Sequence, residues 1–246
     1  MTVLFISDLH LSAEHPEIKT QFLAFLANEA RAASRLYVLG DLFEAWIGDD
    51  DPDPHHADVQ KAMAAFSEQN SNTRCYFMHG NRDFLIGERF AQRTGFEILP
   101  DPVVHDVYGT PVLLSHGDQY CTDDHGYMAT RQMVRNPDWQ RQVLSRSIAE
   151  RQALAGAARA ESQQANAAKS MEIMDVNADA IDRALLEADV AYLLHGHTHR
   201  PAVHDITRSD GQPASRAVLG DWYEHGSVGV WDESGFSLEQ LTRITR

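Results

Sequence analysis

The chain has 246 residues, 43% of them apolar, enough for one sizeable α/β core without a second domain. A formal charge of −15 argues against a broad basic face for duplex nucleic acid, and the two cysteines, Cys75 and Cys121, exclude a disulfide framework or a cysteine zinc knuckle. No apolar run approaches the roughly 20 residues that span a bilayer. Met1-Thr2-Val3-Leu4-Phe5-Ile6 enters an apolar strand with no basic leader, so the cytoplasm is the expected compartment.

Strands and helices alternate through the first half. The apolar run Val3-Leu4-Phe5-Ile6 reads as a buried strand and is followed by Ser7-Asp8-Leu9-His10. Residues 17–33 carry Ile18, Phe22, Phe25, Leu26 and Ala30 at helical spacing. Leu36-Tyr37-Val38-Leu39 is a second strand, closed by Gly40-Asp41. Asp49, Asp50, Asp51 and Asp53 lack EF-hand spacing and its terminal Glu, so they read as a solvated loop, with His55 and His56 at the surface. A helix over 58–69 leads to Cys75-Tyr76-Phe77-Met78 and then Gly80-Asn81-Arg82-Asp83. A short helix over 84–93 stops before Gly95, and Val112-Leu113-Leu114 leads to His116-Gly117-Asp118. Between 122 and 186 the strand signal disappears and several helices are expected. Val190-Ala191-Tyr192-Leu193-Leu194 then leads to Gly196-His197-Thr198-His199, and short strands follow over 202–206, 216–219, 227–231 and 236–241. The pattern is that of an α/β layered fold.

The stretch from 121 to 170 holds seven basic residues (Arg131, Arg135, Arg141, Arg146, Arg151, Arg159, Lys169) against five acidic ones. A locally cationic insertion within an acidic chain has two readings: a solvated helical excursion, or a cap over an anionic substrate. Its apolar residues, Met128, Met133, Val134, Trp139, Val143, Leu144, Ile148 and Leu154, fit either an acyl-chain cleft or a core of its own.

Five strand ends therefore carry oxygen or imidazole donors. Asp8 and His10, one residue apart, can be aimed at one ion. Asp41 has two oxygens with which to bridge ions. Asn81 offers an amide oxygen, and His116, His197 and His199 offer ring nitrogens. Such donors without thiolate favour manganese, iron or zinc. Several carboxylates at one rim would repel one another without a cation.

In this order the segments resemble the calcineurin-like metallophosphoesterases, whose series is Asp-x-His, Gly-Asp, Gly-Asn-His-Asp or Glu, His and Gly-His-x-His. The resemblance implies a four-layer α/β β-sandwich flanked by helices, as a single domain over 1–246 with a helical cap insertion at about 122–186. It implies Asp8, His10 and His199 on one metal, Asn81, His116 and His197 on the second, and Asp41 between them. Two ions about 3.5–4 Å apart suit phosphoryl transfer to water.

The departure is Arg82, where the wider family usually has histidine near the leaving group. Arginine cannot donate a proton at neutral pH, yet it clamps two phosphate oxygens well. A leaving phosphate needs no proton donor, so the change favours cleavage of a pyrophosphate bond. Pairing of Arg82 with Asp83 is the plainer alternative. The longer matches Gly40-Asp41-Leu42-Phe43-Glu44-Ala45-Trp46-Ile47-Gly48-Asp49-Asp50 and His195-Gly196-His197-Thr198-His199-Arg200-Pro201 resemble the UDP-2,3-diacylglucosamine hydrolase family. Cys121-Thr122-Asp123-Asp124 and residues 162–170 match it as well.

That resemblance implies a manganese hydrolase with two Mn2+ per chain, at the cytoplasmic face of the inner membrane in lipid A biosynthesis. It would release UMP and 2,3-diacylglucosamine 1-phosphate, with water attacking the α-phosphorus. Asp41, Asn81 and Arg82 would be catalytic. Asn81, Arg82, Asp124, Ser162, Asn166, Lys169 and His197 would contact substrate. Ser162, Asn166 and Lys169, spaced four and three apart, fall on one helix face. A monomer, peripheral on the membrane and without nucleic acid, is expected. The rivals are a phosphodiesterase for another nucleotide and a metal-free protein-binding scaffold. His195 reads as a support for the ligands, and Cys121 lacks an activating base.

Overall fold

The computed structural model describes residues 2–167, 173 and 175–242, the side chains at 163 and 165–167 excepted. The chain runs β1 (Thr2–Ile6), α1 (Pro16–Ala27), β2 (Ala33–Leu39), α2 (Pro54–Gln69), β3 (Arg74–Met78), α3 (Glu88–Thr94), β4 (Glu97–Leu99), β5 (Val103–Val107) and β6 (Thr110–Leu114). Four helices follow: α4 (His125–Val134), α5 (Pro137–Leu144), α6 (Ile148–Ala167) and α7 (Ala178–Ala188). The chain returns to strands with β7 (Tyr192–His195), β8 (Ala202–Thr207), β9 (Pro213–Val218), β10 (Gly226–Asp232) and β11 (Gly235–Leu241).

Two sheets form, ordered β11-β10-β1-β2-β3-β4 and β5-β6-β7-β9-β8. Strands β1, β2, β3 and β4 are mutually parallel, as are β6, β7 and β9. Parallel neighbours send their C-terminal ends to the same edge, which is what gathers the donor segments. Alternation divides the side chains between layers. Val3 and Phe5 of β1, with Tyr37 and Leu39 of β2, point into the seam between the sheets against Leu114, Leu194 and Trp231. Rings of three adjacent strands stack there, Phe5 on Tyr37 at 4.9 Å and Tyr37 on Tyr76 at 4.7 Å. Leu4, Ile6, Leu36 and Val38 face the other way, onto Phe22, Phe25, Met63 and Phe90 of α1, α2 and α3. On the outer face of the second sheet, Ile181 and Leu185 of α7 cover Leu113 and Leu193. Helix, sheet, sheet and helix make the four layers.

Several local expectations are corrected. The helix expected over 17–33 ends at Ala27: the Asn28 backbone leaves helical geometry (φ −118°, ψ −81°), its side chain donates to the Ala24 carbonyl at 2.8 Å, and a single 3-10 turn leads into β2. The helix expected from 58 begins at Pro54, where Asp53 accepts from the His55 N–H at 2.7 Å. Helix α3 starts only at Glu88, with the Asp49 carboxylate accepting from the N–H groups of Gly87 and Phe90. The aspartates at 49–53 do lie in a loop, with Asp50 half exposed, but they are engaged rather than merely solvated: Asp51 lies 3.2 Å from His56 Nδ1, and Asp50 meets Arg151. His55 and His56 are buried, the latter against Phe43 and Trp46.

Helices α4 to α6 project from this frame. Arg151, only 3% exposed, fixes the start of α6. Its guanidinium donates to both Asp50 carboxylate oxygens, at 2.7 and 2.6 Å, to the Ile47 carbonyl at 2.6 Å and to the Arg146 carbonyl at 3.1 Å. Arg151→Met keeps the volume but orphans a buried carbonyl and one partner of the ion pair. It should lower stability by about 2–3 kcal/mol. Urea denaturation with an unchanged midpoint would contradict this anchoring.

Candidate functional site

Beyond the last residues of the parallel strands the loops stay in register. Asp8 N–H donates to the Gly40 carbonyl at 3.1 Å, His10 N–H to Asp41 at 3.0 Å, and Gly196 N–H to His116 at 2.9 Å. Seven non-glycine residues among those described have positive φ, and five of them are Asp8, His10, Asp41, His197 and His199. Left-handed backbone costs a non-glycine residue about 1–3 kcal/mol. These bonds hold it, and it turns each donor inward. Close approach also fixes the glycines: a Cβ on Gly80 would overlap the Asp41 carboxylate, and one on Gly196 would overlap Asp8 and Ser7.

All seven expected ligand side chains converge. His10 Nε2 lies 3.2 Å from His199 Nε2 and 3.8 Å from Asp41 Oδ2, while Asp8 Oδ1 lies 3.4 Å from His199 Nε2. On the other side, His116 Nε2 and His197 Nδ1 both face Asn81 Oδ1, at 3.0 and 2.9 Å, and His116 Nε2 is 3.8 Å from Asp41 Oδ1. Asp8, His10 and His199 form one compact donor group, and Asp8, Asp41 and His116 another. Asp8 therefore touches both groups.

The donors fit divalent cations by their pairing. His10 donates Nδ1–H to Glu44 Oε2 at 2.8 Å, and His199 Nδ1 lies 3.2 Å from Asp221 Oδ2. Both Nε2 lone pairs are then turned on each other, a contact that only a proton or a cation makes favourable. Asp8 Oδ1 is buried with no hydrogen bond among the described residues. Protons can take the cation's place: despite burial, Asp41, Asp8 and Asp118 raise His116 to about 9, and Asp221 and Asp8 raise His199 to about 10. Burial opposes the charge on Asp8, yet the surrounding histidines hold its carboxyl below the ordinary range. His197, desolvated and close to His116, falls to about 4 and stays neutral, as a ligand must.

Around the donors, Asp41 Oδ1 accepts from the Arg82 N–H at 2.8 Å, and Asp83 accepts from the N–H groups of Gly80 and Leu42 at 2.8 and 2.7 Å. Burial and the neighbouring Asp41 charge raise Asp83 to about 7. With Asp83 so engaged, the Arg82 side chain is left at the rim, its Nε without a partner among the described residues. His195 ends β7, fully buried, and donates Nδ1–H to the Gly196 carbonyl at 2.8 Å; burial pushes it down to about 3. Burial likewise pushes the Cys121 thiol up to about 12, which removes it as a nucleophile.

In the insertion, Asp124 caps α4, accepting from the Tyr127 N–H at 3.0 Å, and Ser162 sits half-buried on α6. Lys169 and the Asn166 side chain lie outside the described residues. Four groups escaped the sequence reading. Glu44 and Asp221 back two of the histidines. Tyr127 packs its ring 5.6 Å from His197 and donates to Asp118 Oδ2 at 2.7 Å. Tyr223 stacks on His10 at 5.7 Å. Glu44 stood in a quoted motif, whereas the others had no local pattern to betray them.

The profile of the calcineurin-like phosphoesterases matches residues 1–201. A UDP-2,3-diacylglucosamine hydrolase of Salmonella typhi is 53% identical over 228 residues, covering 93% of this chain and 94% of its own length. One from Escherichia coli O17:K52:H18 is 52% identical with the same coverage. The chain belongs to the UDP-2,3-diacylglucosamine hydrolase family of calcineurin-like phosphoesterases. Its four layers are those the family resemblance implied.

The crowding at Gly196 makes that rim testable. Gly196→Ala would force the Asp8 carboxylate aside and should weaken divalent-cation binding about 10-fold or more. Equilibrium dialysis giving the wild-type affinity would contradict the packing described.

Proposed function

We propose that this chain hydrolyses the pyrophosphate bond of UDP-2,3-diacylglucosamine with two bound Mn2+ ions. The observation that carries the reading is the convergence of Asp8, His10, Asp41, Asn81, His116, His197 and His199 at one rim, in a chain so similar to hydrolases named for that substrate. Asp8, His10 and His199 would hold one ion, and Asn81, His116 and His197 the other, with Asp41 between them. When bound, such a pair supplies activated water at neutral pH and positive charge against the phosphoryl oxygens. In the reaction, water's oxygen bonds to the α-phosphorus as the bond to the bridging oxygen breaks. UMP and 2,3-diacylglucosamine 1-phosphate result.

The residues contribute orientation and charge. Asp41 would be held at its angle by the Arg82 N–H. Arg82, whose Nε has no partner among the described residues, suits the phosphoryl oxygens of the leaving side, where no proton donor is needed. Asn81 and His197 would meet substrate phosphate at the second ion. Asp124, Ser162, Asn166 and Lys169 would meet the sugar and its phosphate from the insertion.

The insertion is read as a cap on a single domain. Because α7 covers the second sheet, the cap proper would be α4 to α6. Val143 is buried in the core shared with α1 to α3, and Trp139 and Leu154 pack on it, so these serve the frame. Met133 and Leu144 stay exposed, and α4 buries no residue. They are available to acyl chains or to the membrane surface, where a peripheral, monomeric enzyme would meet its lipid substrate from the cytoplasmic side. No helix among the described residues is long and apolar enough to cross a membrane.

Incubation with UDP-2,3-diacylglucosamine and Mn2+ should release UMP, with little turnover of UDP-glucose or bis(p-nitrophenyl) phosphate. Equal rates on all three would sink the lipid assignment. Arg82→Ala should lower kcat about 100-fold or more while manganese content stays at the wild-type value. Wild-type turnover, or loss of the metal, would remove Arg82 from its proposed role.

A further inference from the structure

The four imidazoles of the rim differ in what stands behind them. His10 has Glu44, 2.8 Å from Nδ1, and His199 has Asp221, 3.2 Å from Nδ1. His116 donates Nδ1–H at 2.9 Å to an uncharged group, the Leu39 carbonyl. His197 directs Nδ1 at Asn81 and lays its ring beside Tyr127. Both carboxylate-backed histidines lie in the Asp8 group, and both others lie with Asn81. A carboxylate behind a ligating imidazole fixes the tautomer with its lone pair toward the ion and makes that nitrogen more basic.

Glu44 reaches this place through backbone register. His10 N–H donates to Asp41 O, Leu11 N–H to Leu42 O, and Glu44 N–H back to Leu11 O at 3.2 Å, so the loops leaving β1 and β2 run side by side. The carboxylate is nearly buried and has a second partner. Its Oε1 lies 3.1 Å from Arg159 Nε, and Arg159 Nη2 donates to Glu14 Oε2 at 3.1 Å. Arg159 belongs to α6. A short path of charge therefore runs from the insertion, through Glu44, to one histidine of the rim.

We propose that Glu44 is a positioning residue that makes the Asp8–His10–His199 position the tighter of the two cation sites, and that Arg159 ties this position to the helical insertion. The inference rests on the two-cation reading above. Linkage makes the tie reciprocal: if the insertion's placement favours cation binding, cation binding steadies the insertion.

Manganese titration of the metal-stripped full chain, with free Mn2+ counted by electron paramagnetic resonance, tests it. Wild-type protein should take up two ions per chain. Glu44→Gln should bind one of them about 10–100-fold more weakly and the other unchanged, with the unfolding temperature of the metal-free protein unaltered. Arg159→Gln should leave both affinities within about fivefold. Hydrogen exchange supplies the second readout: Mn2+ should slow amide exchange across α6 in the wild type, and less so in either variant. A Glu44→Gln titration that superimposes on the wild type, or that weakens both ions equally, overturns the positioning role. Equal Mn2+ protection of α6 in Arg159→Gln and wild type overturns the tie to the insertion. Fewer than two ions in the wild type would instead contradict the two-cation reading itself.

Discussion

Two buried carboxylates, Asp8 and Asp41, stand at the ends of adjacent parallel strands, and burying two acids side by side calls for positive charge beside them. Histidines supply it as protons or hand it over to metal ions, and much of the molecule serves to keep them within reach. The parallel order of β1, β2 and β3, and of β6 and β7, brings the donors to one edge. Left-handed backbone at five donor residues turns them inward, and glycines at 80 and 196 let the loops close on them. A frame with less buried apolar surface could not sustain so much local strain and so much charge in one place.

The helical insertion answers to the same rim. Arg151 grips Asp50, and Arg159 grips Glu44; both acids lie on the segment that leaves β2 just beyond Asp41. Asp118 extends the connection on the other side. It is fully buried, accepts from Tyr127 and Arg131 of α4, and follows His116 by two residues. Substrate binding and metal binding would thus share one mechanical support.

The donors were legible because each follows its own strand within a few residues, so local pattern and fold agree. The layers were legible for a similar reason, since alternation on β1 and β2 separates seam from flank. What escaped depends on contacts between distant segments. Glu44 stands behind His10, 34 residues away, through a register between two loops that no single window contains. Asp221 and Tyr223 come from the far end of the chain. His56 read as a surface residue because the packing of Phe43 and Trp46 around it is tertiary. The stop at Asn28 and the cap at Asp53-Pro54 were present as local signals and outweighed by hydrophobic spacing.

The proposed function makes this rim a two-cation centre with Asp41 between the ions. Crystals grown with Mn2+ and measured at the manganese absorption edge test it directly. Two anomalous peaks are expected about 3.5–4 Å apart, one beside Asp8, His10 and His199 and the other beside Asn81, His116 and His197. A single peak, or peaks away from Asp41, would contradict it.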